Sequence, residues 1–282
     1  MALTEKGYKE RLIDEKIKNY LKLFGAISIE GPKWCGKTWT AKNHANSAVY
    51  LDNSVENFDT RAKAKMDVSL ILDKEAPELI DEWGEVVEIW DAVRHRCDKD
   101  KNKGKYILTE STTLRKKEDE EKIHHSGAGR IDRMKMYSMS LYESGDSTGE
   151  ASLQKLFNGT QKNVSTKKTT LQQLANFIVR GGWPENIDTD EKFLHVLPQS
   201  YLKTVLNYDI NKDGVNRDIN KMNMLFKSLA RNESTTVSNA TLVSDIEEFT
   251  DNKNYQLSRN TIADYLIVLS KLYLTQNQEP YS

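Results

Sequence analysis

The chain has 282 residues, and its 41 Lys and Arg against 42 Asp and Glu leave a formal net charge of −1. No global field holds a polyanion, so any such ligand must be met by a local site. A mean hydropathy of −0.68 is low, yet the Trp, Tyr and Phe content excludes a disordered chain, and the length suggests about two domains. Only two cysteines occur, Cys35 and Cys97, which excludes a disulfide framework or a four-cysteine zinc site and predicts a reducing, cytoplasmic setting. The N-terminal residues carry charges where a secretory signal needs an apolar run, and no apolar stretch approaches the ~20 residues of a membrane span.

In chain order, Leu12, Ile13, Ile17, Leu21 and Phe24 recur at helical spacing and predict a helix over 9–23 that stops at Gly25. Ala26-Ile27-Ser28-Ile29 is short, β-branched and bounded by glycines, as a buried strand is. A glycine-rich turn and a helix over 37–45 follow. Further strands are expected at 48–51, 78–81, 106–109 and 134–141, with a helix over 88–97. Strands alternating with helices predict an α/β domain built on a parallel sheet. Residues 115–122, a run of charged blocks, read as a solvated loop. From 158 to 170 the composition turns polar and marks a linker. Beyond it the periodicity is helical: Leu171, Leu174, Phe177 and Ile178 share one face, Leu202, Val205 and Leu206 another, and Met222, Leu225, Phe226 and Leu229 a third.

The chemistry concentrates after the first strand. Gly31-Pro32-Lys33-Trp34-Cys35-Gly36-Lys37-Thr38 fits the Gly-x-x-x-x-Gly-Lys-Ser/Thr phosphate loop, placed as its mechanism requires between a strand and a helix. The glycines let successive backbone N–H groups turn inward, and the N-terminus of the helix, which continues through Trp39, adds partial positive charge. Lys37 is expected to reach the β- and γ-phosphates of ATP and Thr38 to bind Mg²⁺. Cys35 reads as a small residue that fits the loop. A phosphate loop also needs a strand-end carboxylate and a group that orients water, and Leu79-Ile80-Asp81-Glu82 supplies both: Asp81 for the metal, Glu82 for the nucleophile. The strand over 106–109 ends in Thr109-Glu110-Ser111, from which Thr109 or Ser111 is expected to sense the γ-phosphate. Arg130, in His125-Ser126-Gly127-Ala128-Gly129-Arg130, is the candidate arginine finger, from the same chain or a self-associated neighbour.

With these pieces in order the chain resembles the bacterial AAA-type P-loop ATPases that carry a C-terminal domain of unknown function numbered 4143. The resemblance rests on Tyr8-Lys9-Glu10-Arg11-Leu12-Ile13-Asp14-Glu15, on residues 31–40, 77–83, 89–94, 107–111, 125–130 and 139–149, on Val179-Arg180-Gly181-Gly182-Trp183-Pro184 and on Leu229-Ala230-Arg231-Asn232. It implies a P-loop NTPase three-layer core over 1–160, a helical lid over 161–215 and a winged-helix or helix-turn-helix segment over 216–282. Lys37, Thr38, Asp81 and Glu82 keep the roles given above, and the lid resemblance brings Trp183 or Pro184 to the adenine. Two departures stand out. Where the family reads Ile-Leu-Thr-Gly-Ser this chain has Glu110, a carboxylate expected near the γ-phosphate. Family members also continue well past the position of Ser282.

The C-terminal pattern, a helix over 240–249, a turn through 251–254 and a helix over 257–274 with Ser258 as N-cap, reads as helix-turn-helix. From 201 to 282, however, nine Lys or Arg face ten Asp or Glu, so the basic footprint of a DNA-binding module is missing. The function expected is ATP hydrolysis with Mg²⁺ that drives a conformational change. The alternatives are a nucleotide-gated DNA-binding regulator and a truncated family member that binds ATP without turnover.

Overall fold

The computed structural model describes residues 2–53, 58–164, 168–249 and 257–278. It divides into two compact units, Met1–Ser111 with Glu121–Pro198, and Thr112–Glu120 with Gln199–Ser282. In the first unit the order is α1 (Ile13–Tyr20), β1 (Ala26–Glu30), α2 (Lys37–Lys42), β2 (Ser47–Tyr50), α3 (Asp59–Met66), β3 (Glu78–Asp81), α4 (Glu88–Asp100) and β4 (Tyr106–Glu110). After α5 (Lys117–Glu120), which belongs to the second unit, come β5 (Ile131–Lys135), α6 (Leu153–Phe157) and α7 (Leu171–Arg180).

All the strand pairs are parallel, in the order β2-β3-β4-β1-β5. This is the α/β P-loop ATPase-like fold that the sequence predicts. Both faces of the sheet are covered, which is why its central strands read as unbroken apolar runs. On one face Ile27, Ile29, Leu79 and Ile107 pack with Ile17 of α1 and Ala41 of α2. On the other, Ile80, Tyr106 and Leu108 meet Trp83, Trp90 and Val93, with the two indoles 5.0 Å apart between ring centroids. Each fully buried side chain of this size contributes about 1.5–3 kcal/mol.

Several boundaries differ from the sequence reading, each for a local reason. α1 starts at Ile13 because residues before it form a strap held by side-chain contacts. α2 ends at Lys42, short of the expected 45. β5 lies earlier than 134–141, because its length is set by its partner: Ala26 pairs with Ile131 and Glu30 with Lys135, where β1 ends. The charged run 115–122 is not merely a solvated loop. It holds α5 within the second unit, where Glu120 pairs with Lys271 at 2.8 Å. The linker expected over 158–170 lies within the first unit, its residues 165–167 outside those described, and the units divide after Pro198, so the span 161–215 crosses the division.

α7 opens on a capping box between Thr170 and Gln173, but the face of Leu171, Leu174 and Ile178 is exposed, Leu171 by 83% and Ile178 by 74%. α8 (Val196–Thr204) begins in the first unit and ends in the second, where a π-helical turn leads on to α9 (Ile219–Arg231), α10 (Asn239–Glu248) and α11 (Arg259–Lys271). Asp218, Ser238 and Ser258 cap the last three by accepting backbone N–H bonds. Met222, Leu225, Leu242, Ile246, Ile262 and Leu269 are buried there. α10 and α11 fall where the sequence predicts the two helices, and the turn expected over 251–254 lies outside the described residues. A wing needs a β-hairpin, and no strand is found among the described residues of this unit. No described helix is long and apolar enough to cross a membrane.

Candidate functional site

In a parallel α/β sheet, ligands are met at the carboxyl ends of the strands. β1, β3 and β4 bring Gly31, Asp81–Glu82 and Thr109–Ser111 to that one edge, with β4 between the other two strands.

The loop after β1 is sharply bent. Gly31 donates its N–H to Glu110 O at 3.2 Å, and a Cβ there would lie 2.1 Å from Met136 O, so no larger residue fits. Trp34 and Gly36 both take left-handed backbone, at φ 64° and 98°, which glycine adopts without penalty and tryptophan does not. Such alternation turns backbone N–H groups toward one concavity. Pro32 and Lys33 are half-buried, while Trp34 and Trp39 are exposed by 52% and 46%. Lys37 is buried, and its Nζ donates to Pro32 O at 2.9 Å, across the loop's own bend. Cys35 is wholly buried. Burial pushes its thiol up, against the pull of the Lys37 and Arg11 charges. A thiol so placed is inert, as the small-residue reading of the loop requires.

Across from the loop, Asp81 Oδ1 accepts hydrogen bonds from Thr38 Oγ1 at 2.9 Å and Thr109 Oγ1 at 2.7 Å. Burial pushes this carboxyl up to about 6, although both hydroxyls favour its ionised form. Glu82 has φ 55° and gives its N–H to Thr109 Oγ1 at 3.0 Å. Its Oε2 accepts from Ser111 Oγ at 2.9 Å. Thr109 is therefore a bracket: its fully buried hydroxyl donates to Asp81 and accepts from the Glu82 N–H.

Two further expectations are corrected. Glu110 contributes its carbonyl to the loop, but its side chain belongs to the other face of the sheet. Strand residues alternate, and Ile107 lies in the α2-side core while Leu108 lies in the α4-side core. Arg130 immediately precedes β5, whose first residue pairs with Ala26 at the start of β1. It stands at the amino edge of the sheet, and the four residue steps to Glu30 at ~3.3 Å put the loop roughly 13 Å further along. There its Nε donates to Asp98 at 2.5 Å, a surface pair. It does not act as an arginine finger within its own chain.

A residue to which sequence reasoning gave no role underpins the loop. The Arg11 guanidinium is buried and donates to Cys35 O at 2.7 Å, Tyr137 O at 2.8 Å and Glu143 Oε1 at 3.0 Å. Nearby, Asp14 accepts from Arg11 N at 2.7 Å and Tyr8 Oη at 2.9 Å and lies 2.7 Å from His44 Nε2, while Tyr8 Oη lies 3.2 Å from the Thr40 hydroxyl, from which it accepts. The only sequence signal for this cluster was the resemblance over residues 8–15. Gly182-Trp183-Pro184 also returns to the site. Met139 donates to Gly182 O at 2.6 Å, and Pro184 Cγ lies 3.4 Å from where a Cβ on Gly36 would be.

Comparisons with known proteins bear on the family of one segment and on the fold. Residues 24–145 match the family model described as an AAA domain. That match takes in β1 to β5, the loop and the Asp81–Glu82 pair. Residues 171–282 match the model of a domain of unknown function, DUF8612, a different one from that implied by the resemblance. A search of the curated proteins gave no match. Among solved structures the chain is similar to the Walker-type ATPase of Pyrococcus abyssi, with 10% identity, 96% of this chain and 91% of that one covered, and a TM-score of 0.51. That likeness bears on the fold alone. AMPPCP-bound DnaA from Aquifex aeolicus is also similar, at 11% identity with 94% and 89% covered, but a TM-score of 0.34 is too loose to argue from.

Proposed function

We propose that the chain binds ATP at Gly31–Thr38 and hydrolyses it with Mg²⁺, the energy being used to change conformation. The observation that carries this reading is the Asp81 carboxylate bridging Thr38 of the loop and Thr109 of β4. It sets a hydroxyl from the phosphate loop against a strand-end acid, with a second acid, Glu82, next in sequence.

The donor set fits Mg²⁺, a hard cation that takes oxygen ligands, keeps several waters and is held by one or two protein groups plus substrate phosphates. Thr38 Oγ1 and Asp81 Oδ1 are such groups, and a nearby cation relieves the cost of ionising a carboxyl that burial has raised. Among the described residues no cluster of three or more His, Cys, Asp or Glu could hold a metal, so the ion would arrive with the nucleotide. When bound it would neutralise charge on the β- and γ-phosphates.

The chain's own groups do the rest. Backbone N–H groups of the loop hold the phosphates, and Lys37 exchanges Pro32 O for phosphate oxygens. Thr109 fixes Asp81 and the backbone of Glu82, and the Glu82 carboxylate, oriented by Ser111, aligns water for in-line attack. An arginine from Arg130 would have to come from a second copy of the chain. Pro184, beside Gly36, supports a lid contact. DNA binding through α10 and α11 is not favoured by the acidic balance of that segment.

The test is nucleotide affinity and phosphate release by the wild type, Lys37→Ala and Glu82→Gln. Loss of a charged contact of ~3 kcal/mol predicts roughly hundredfold weaker ATP binding in Lys37→Ala. Glu82→Gln should keep its affinity and lose about 10²–10⁴ in turnover. Equal ATP affinity in Lys37→Ala and the wild type would overturn the reading.

A further inference from the structure

At the amino ends of β3 and β4, the edge opposite the phosphate loop, a cavity of about 870 Å³ opens between the segment before β3, the last turns of α4 and the start of β4. It is lined by Lys74, Arg96, Lys99 and Lys105, with His95 among them. Its acids, Asp73 and Asp100, are already engaged. Asp73 pairs with Arg96 and accepts from Tyr106 Oη at 3.0 Å. Asp100 pairs with Lys105 and accepts from Asn102 Nδ2 at 2.6 Å. Lys74 Nζ donates to Ala48 O at 3.3 Å, and its charge acts on the buried Glu78 carboxylate without closing an ion pair. Among the described residues neither Lys74 nor Lys99 is in an ion pair, so the cavity keeps an excess of positive charge. The sequence has the same bias: residues 94–105 hold six Lys or Arg against two Asp, in a chain whose net charge is −1.

A concavity concentrates the field of the charges that line it, and this volume is that of a small-ligand pocket. Two of its cations are fixed by their acids and two are on long exposed stems. Separated cations around one hollow match a ligand with several separated anionic groups, and the planar fork of Arg96 suits phosphate oxygens. We infer that this cavity is a second anion site, for a small ligand carrying two or more phosphate groups, independent of the phosphate loop.

The probe is inorganic tripolyphosphate, titrated calorimetrically into the full chain carrying Lys37→Ala, and into the same chain with Lys74→Glu and Lys99→Glu added. Both added changes are at exposed positions, so the melting temperature should hold within a degree or two, which differential scanning calorimetry checks. The inference expects saturable binding in the first protein and at least tenfold weaker binding in the second. It is overturned if Lys37→Ala alone removes binding, or if the charge reversals leave the affinity unchanged. An oligothymidylate bound where tripolyphosphate is not would also overturn it, since the ligand would then be a nucleic-acid strand. ATP affinity of the chain with only Lys74→Glu and Lys99→Glu should equal that of the wild type, which separates this site from the loop.

Discussion

One guanidinium ties three parts of the chain to the phosphate loop. Arg11 comes from the strap before α1, Cys35 O from the loop, and Tyr137 O and Glu143 from the segment after β5. Lysine offers a single point charge in place of a planar fork and cannot serve three divergent acceptors at once. Arg11→Lys should therefore leave the chain folded, lower its melting temperature by a few degrees, and weaken ATP binding about tenfold because Cys35 O is no longer held. Calorimetry paired with nucleotide titration checks this, and an unchanged ATP affinity would confine Arg11 to a structural role. The loop glycines were legible because the backbone demands them: at Gly31 a Cβ meets Met136 O, and Gly36 is left-handed. Arg11 was not legible, since nothing in a local pattern says that a charged residue before an amphipathic helix turns inward.

Among elements, α1 and α2 are joined by a polar cluster rather than by apolar contact alone. Asp14 of α1 takes hydrogen bonds from Tyr8 and from Arg11 N and sits against His44, just past α2, while Tyr8 also reaches Thr40 of α2. Burial raises the Asp14 carboxyl, but the His44, backbone and Tyr8 hydrogen bonds outweigh it and hold the group below its ordinary range. A lowered folded value means that the ionised carboxylate stabilises the fold above the unfolded value, near 3.9, and loses that effect as pH falls through the folded one. Asp14→Asn should cost about 1–3 kcal/mol at neutral pH, and its deficit against the wild type should shrink below about pH 4. Urea titrations at pH 7 and pH 3.5 measure this, and a deficit that stays constant across that interval would show that the charge is not what counts. The strands themselves were readable as short β-branched runs between turns, but their lateral order was not, since pairing is set by partners far apart in sequence. Arg130 was misassigned for a related reason. A residue just before a parallel strand lies at the amino edge, and placing β5 three residues late hid that Arg130 is such a residue.

At the scale of the whole molecule, the phosphate loop and its acids all belong to the first unit, whereas the buried face of α11 stabilises the second. The chain crosses between the units more than once, because Thr112–Glu120 interrupts the run from β4 to β5 and joins Gln199–Ser282. In the second unit Thr113 N donates to Lys271 O at 2.9 Å. The strand that carries Thr109, followed by Ser111, therefore runs directly into the second unit, a connection that no local pattern in the charged run 115–122 reveals. Leu269 is fully buried in that unit, and Leu269→Ala should destabilise it by about 2–5 kcal/mol through lost burial and a residual cavity. If nucleotide binding belongs to the first unit alone, ATP at a hundredfold excess over Kd will still stabilise the variant by ~2.7 kcal/mol and so raise its melting temperature, and its Kd will equal that of the wild type. A Kd that rises with the loss of Leu269 would instead make β4 the link through which the second unit reports on the phosphate loop, and calorimetric melts with and without ATP, read beside the binding isotherms, distinguish the two outcomes.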